Sequence, residues 1–85
     1  MTEELTRNIR VIHRLERSIR VLELMRDGKQ QMVDDAVAGY EKQGNPAQND
    51  PAVNQAQAFI VVCNRAILGA KARINKLEIG DQERQ

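Results

Sequence analysis

Val53, Ile60, Ile67 and Ile74 recur every seven residues, and Ala56, Cys63, Ala70 and Leu77 each follow three residues later. A seven-residue apolar repeat matches an α-helix that keeps one seam against a neighbouring helix, and it suits neither a strand nor a loop. Four heptads in a row therefore predict a second helix over about 51–78. Its β-branched residues stand at one seam position and mostly small ones at the other. Phe59 and Ala66 widen the stripe on one flank, while Val61 and Leu68 begin a second, weaker stripe. A stripe this wide is more than one partner helix covers.

The first half of the chain carries the same period. Leu5, Asn8, Ile12, Leu15, Ile19, Leu22, Arg26, Lys29, Val33, Ala36 and Tyr40 alternate as seam positions, with Ile9, Met25, Met32 and Val37 beside them. Met25 and Met32 read as core filler. The register survives two basic residues that flank Gly28. The reading is one helix over about 3–43, continuous or kinked at Gly28, because a lone glycine costs about 1 kcal/mol relative to alanine.

Between the two lies "QGNPAQNDP" (43–51), the one dense cluster of breakers. Gly44 suits the left-handed residue that closes a helix, and Asp50 before Pro51 reads as an N-cap followed by proline at the first helical position. Gly80 is expected to end helix 2 and leave a short polar tail, 79–85. Glu3 and Glu4 in the first turn of helix 1, and Lys71, Arg73 and Lys76 late in helix 2, carry the signs that the helix dipoles favour. The fold class is all-α: one domain over 1–85, an antiparallel two-helix hairpin with its turn at 44–50.

Eighty-five residues bury little, and chains this small gain stability from disulfides, metal or association. Cys63 is alone, so no intrachain disulfide forms, and a single His far from that Cys offers no metal-binding spacing. No cofactor is expected. Association remains. The longest apolar run, Ala58 to Cys63, is six residues, so no membrane partner or span is expected. With a lone thiol and no signal-peptide pattern, the expected location is the cytoplasm.

Folding at 44–50 pairs residues whose numbers sum to about 95, setting Val33 near Cys63 and Ile60 and Ile19 near Leu77. Helix 2 then runs out before helix 1 does. Leu5, Ile9, Ile12 and Leu15 are left without intrachain partners, at roughly 1.5–3 kcal/mol each if they stay in water. Either the chain bends at Gly28 into three helices, or this arm packs on another subunit. The second option also explains the wide stripe on helix 2. It predicts a homodimer or higher assembly, most simply a dimeric four-helix bundle, through Leu5, Ile9, Ile12, Leu15, Ile19, Phe59 and Ala66.

The net charge of +1 hides segregation: residues 5–26 and 51–77 each carry +4, and residues 27–50 carry −3. "RNIRVIHRLERSIR" (7–20) places Arg7, Arg10, Arg14, Arg17 and Arg20 at helical steps away from the seam, with little acid nearby. Hairpin folding brings this row to the same end as Lys71, Arg73 and Lys76. A basic end of this kind fits an acidic protein or a nucleic acid. The nucleic-acid reading is the weaker, because no aromatic interleaves the arginines and no helix-turn-helix spacing is visible. His13 reads as a surface histidine and Cys63 as a buried, inert thiol. Asp34 and Asp35 are adjacent rather than stacked one turn apart. Gly69 reads as a place for close helix approach.

Small helical mutases and lyases set arginines and a lysine between helices, and Arg26 and Lys29 at seam positions permit that comparison. Several cations would have to converge on one pocket for such catalysis. The expectation is a non-enzyme. The outline of helix, Asn/Asp-Pro turn and helix in about 80 residues, carried here by "GNPAQNDPA", is similar to needle subunits and small co-chaperones of bacterial secretion systems, and the resemblance lies in topology. Plasmid- and phage-encoded regulators share that outline. The sequence thus reads as a self-associating chaperone, adaptor or inhibitor of a protein partner. A nucleic-acid regulator and a secretion-system subunit or co-chaperone are the alternatives.

Overall fold

Proline is absent until position 46, and nothing before Gly44 stops a helix. A computed structural model describes residues 2–83, with α1 at Thr2–Gln43, a short 3-10 turn at Ala47–Asn49 and α2 at Pro51–Glu83. Forty-two helical residues span about 63 Å at a rise of about 1.5 Å each, and the molecule measures 62 × 16 × 16 Å. Its length is that of α1, so the chain does not fold back at Gly28 into three helices. No strand occurs among the described residues.

α1 ends in a Schellman motif. Gly44 takes a φ of 74°, the Asn45 N–H donates to the Tyr40 carbonyl at 3.0 Å, and the Gly44 N–H donates to the Glu41 carbonyl at 3.2 Å. These bonds close carbonyls that the helix end leaves open, and glycine adopts the left-handed conformation without a Cβ clash. Residues 47–49 then turn the chain back before α2 begins. Asp50 caps α2: its side chain accepts the Ala52 N–H at 2.9 Å and its carbonyl accepts the Asn54 N–H at 3.1 Å. Pro51 occupies the first helical position, where its missing N–H costs nothing.

The helices run antiparallel along one seam. Val33, Ala36, Val37 and Tyr40 of α1 pack with Val53, Ala56 and Ile60 of α2. Toward the middle, Arg26 meets Asn64 and Lys29 meets Phe59. Cys63, Ile67 and Ile19 continue the buried line. Every seam position of α1 from Asn8 to Tyr40 is buried or half-buried, and so is every heptad position of α2 from Val53 to Leu77. The core is one line of side chains between two rods.

Two boundaries differ from expectation. α2 continues through Gly80 to Glu83, because no proline follows and one glycine costs only about 1 kcal/mol in a helix. The remainder of the expected tail, residues 84–85, lies outside the described residues. The residue numbers of facing pairs sum to about 90, not 95, because the 3-10 turn has already descended alongside α1 when α2 starts. Both shifts carry α2 further toward the far end of α1. The arm is shorter than expected: Ile12 and Leu15 are half-buried, and Ile19 is buried inside the hairpin rather than left for a second subunit. Leu5 and Ile9 remain exposed.

Candidate functional site

The arginine row lies where its spacing placed it. Arg7, Arg10, Arg14, Arg17 and Arg20 are all exposed, and none forms an ion pair among the described residues. Steps of three and four keep them off the seam. Arg7 and Arg10 border a shallow recess with Glu3 and Thr6, and Arg14 and Arg17 border another with Ser18, Val21 and Leu22. Lys71, Arg73 and Lys76 are exposed on the part of α2 that runs beside this arm. The hairpin thus brings all eight cations to its open end.

Arg26 and Lys29 behave differently from the row. Both are half-buried at seam positions, and they leave the seam on opposite flanks. The Arg26 guanidinium donates to the Asn64 side-chain oxygen at 3.3 Å and to Asp27 at 3.1 Å. The Lys29 ammonium sits 5.7 Å from the centre of the Phe59 ring, on the other side, within reach of a cation–π attraction. The two cations do not converge, so they do not assemble the electrostatic pocket that the mutase comparison requires.

His13 is exposed, while Cys63 is buried at 2% exposure, roughly fourteen residues or about 21 Å further along the rod. No thiol–imidazole pair is available. Asp34 and Asp35 each accept from the glutamine one turn earlier, Gln30 and Gln31, both at 3.0 Å. They do not share a site, and no cluster of His, Cys, Asp and Glu among the described residues could hold a metal ion. No helix among them is long and apolar enough to cross a membrane.

Titration is perturbed at the turn. The Tyr40 hydroxyl donates to the Asp50 carboxylate, which holds the Asp50 carboxyl below its ordinary value, with help from the Ala52 and Val53 N–H groups. The same bond raises the Tyr40 hydroxyl, with smaller contributions from desolvation and the Asp50 charge. These shifts belong to a structural latch, since both groups are engaged in capping α2.

The flanks of the hairpin are unequal, and this was missed in the sequence. Met25 and Met32 are not core: each is 45% exposed, because steps of 4, 3 and 4 from Val21 through Met25 and Gly28 to Met32 trace a line roughly a quarter-turn off the seam. Phe59, Val62, Ala66 and Gly69 trace the matching line on α2. A hollow lined by Lys29, Met32, Ala52, Gln55, Ala56 and Phe59 places both lines on one side of the molecule. The opposite side, marked by the Arg26–Asn64 bond, presents Glu23, Gln30, Asp34, Gln57, Asn64 and Lys71. Of the expected interface residues, Phe59 and Ala66 lie on the apolar side, whereas Leu5 and Ile9 lie at the open end. The clue in the sequence was the second 4-3-4 spacing, which the stronger seam masked. Comparison with family models, with curated proteins and with solved structures finds no match.

Proposed function

We propose that this chain works by binding and not by catalysis: it self-associates, most simply as a homodimer, and offers its basic end to an acidic protein as chaperone, adaptor or inhibitor. The observation that carries this reading is the division of exposed groups. Five exposed arginines, none in an ion pair among the described residues, gather at one end while apolar side chains stay uncovered along the middle. Such arginines steer and hold anions, and a contiguous apolar strip on so thin a hairpin favours a covering partner. The lone buried thiol suits a reducing, cytoplasmic setting. Gly28, with no side chain to brace the helix, is where α1 gives if a partner bends it.

Capture of partners from the native host, by the wild type and by a variant with Arg7, Arg10, Arg14 and Arg17 changed to Gln, tests the proposal. Loss of one defined acidic protein, unaffected by nuclease, supports it. Nuclease-sensitive capture instead assigns the row to nucleic acid. Equal capture by both variants removes the row from function.

A further inference from the structure

The apolar flank has a shape and a charge setting that select its occupant. Val21, Met25 and Met32 on α1 and Val62 on α2 are each at least 45% exposed on one side of the hairpin. Two glycines share that side. A Cβ at Gly28 or at Gly69 would meet nothing within 4 Å, so neither glycine serves close approach within the chain. The expectation that Gly69 lets α1 and α2 approach is thereby corrected. Each leaves a notch in the flank.

Notches and knobs are placed symmetrically. On α1, Met25 stands one turn before Gly28; on α2, Val62 stands two turns before Gly69. The midpoint of the first pair falls between residues 26 and 27 and that of the second between 65 and 66. Facing residues sum to about 90, so the two midpoints lie at nearly the same height on the rod. A single two-fold axis across the rod therefore passes through both. Rotation about it sets Met25 over the partner's Gly28 and Val62 over the partner's Gly69.

Charge chooses between the two ways of placing like flank on like flank. Residues 27–64, the turn half, hold Asp27, Asp34, Asp35, Glu41 and Asp50 against Lys29 and Lys42, a net −3. Residues 3–26 and 65–83, the open half, hold ten Lys and Arg against seven Asp and Glu, a net +3. An axis along the rod would stack like halves on each other. An axis across the rod lays each acidic half on a basic half. On the flank itself it brings Asp35 level with the partner's Ser18, one turn from the partner's Arg14.

We infer that the occupant of this flank is a second copy of the chain, docked antiparallel across a two-fold axis between Met25 and Gly28, with α1 on α1 and α2 on α2. The inference rests on the self-association proposed above and adds its face, symmetry and register. It moves the interface from the open-end arm to the middle of the rod.

Sedimentation equilibrium at about 50 and about 500 mM salt, combined with disulfide trapping in a Cys63→Ala background, tests it. Ala66 lies almost on the axis, so A66C cross-links copy to copy, whereas Q57C on the polar side does not. Raising salt weakens the dimer by about fivefold or more, since screening removes attraction between unlike halves. M25E, on an exposed position that leaves the seam intact, weakens it at least about tenfold. A dimer that tightens with salt, that cross-links through Q57C instead, or that ignores M25E overturns the geometry and leaves self-association standing. A monomer at all concentrations, with helix content intact, overturns both.

Discussion

The Tyr40 hydroxyl donates its hydrogen bond to the Asp50 carboxylate, joining the last turn of α1 to the cap of α2. One carboxylate thus closes the turn and starts the second helix. Nearer the middle of the rod, the Arg26–Asn64 bond and the Lys29–Phe59 contact also join the two helices.

That latch predicts a pH profile. The Asp50 carboxyl lies below its ordinary 3.8 in the folded chain, so its stabilisation is present above that value and is lost as pH falls through the folded pKa. The Tyr40 hydroxyl lies above its ordinary 10.0, so its stabilisation is present below that value and is lost as pH rises through the folded pKa. Thermal midpoints followed by circular dichroism should form a plateau between these limits. Tyr40→Phe should remove the latch's alkaline loss and part of its acid loss. Asp50→Ala should lower the midpoint further, because it also removes the helix cap.

The seam should be sensitive and the outer faces tolerant. Ile67 is 4% exposed, and Ile67→Ala should destabilise by about 2–5 kcal/mol, as truncation of a buried aliphatic does. Leu68, its neighbour, is 67% exposed, and Leu68→Ala should stay within about 0.5 kcal/mol. Urea titrations below the proposed dimer's dissociation constant measure both. Equal effects would displace the seam.

Gly28→Ala and Gly69→Ala separate helix propensity from association. With open space around each added Cβ, each substitution should stabilise the isolated hairpin by about 0.5–1 kcal/mol. The same methyl fills a notch on the apolar flank and should weaken the dimer. Opposite signs in dilute and concentrated samples are the expected outcome; gains in both would mean the glycines face solvent throughout.

Changing Arg7, Arg10, Arg14 and Arg17 to Gln should leave the monomer's thermal midpoint nearly unchanged, since the row is exposed and forms no ion pair among the described residues. Binding of the proposed acidic partner should weaken, and its remaining salt dependence should be shallower. Titration by fluorescence anisotropy at two ionic strengths reads both quantities.

The seam was legible because its repeat is redundant. Val53, Ile60 and Ile67 are spaced so that only a helix with one fixed partner line buries them all, and Ala56 and Cys63 repeat the same instruction. The turn was legible because Gly44 and the Asp50–Pro51 pair have strong local preferences that tertiary contacts do not oppose. Gly80 misled because a glycine weakens a helix without stopping it. The height at which α1 faces α2 depended on how residues 47–49 travel, and Ala47, Gln48 and Asn49 carry no spacing that states it. Met25 and Met32 misled for another reason: a methionine beside a seam has the composition of a core residue, and only its angle around the helix separates the two.

Both helices leave the hairpin at the same end of the 62 Å rod, opposite the turn. Tension applied through Thr2 and Glu83 therefore loads the seam like a zipper, one pair of side chains at a time. Parting Leu15 and its neighbours exposes little surface per step, and resistance accumulates once the opening reaches Ile19, Ile67 and Cys63 and continues through Ile60, Val53 and the Tyr40–Asp50 bond. The hairpin should open at low force at first and stiffen from the middle of the rod to the turn, while the same rod pulled lengthwise from one end and the turn would resist along its whole seam.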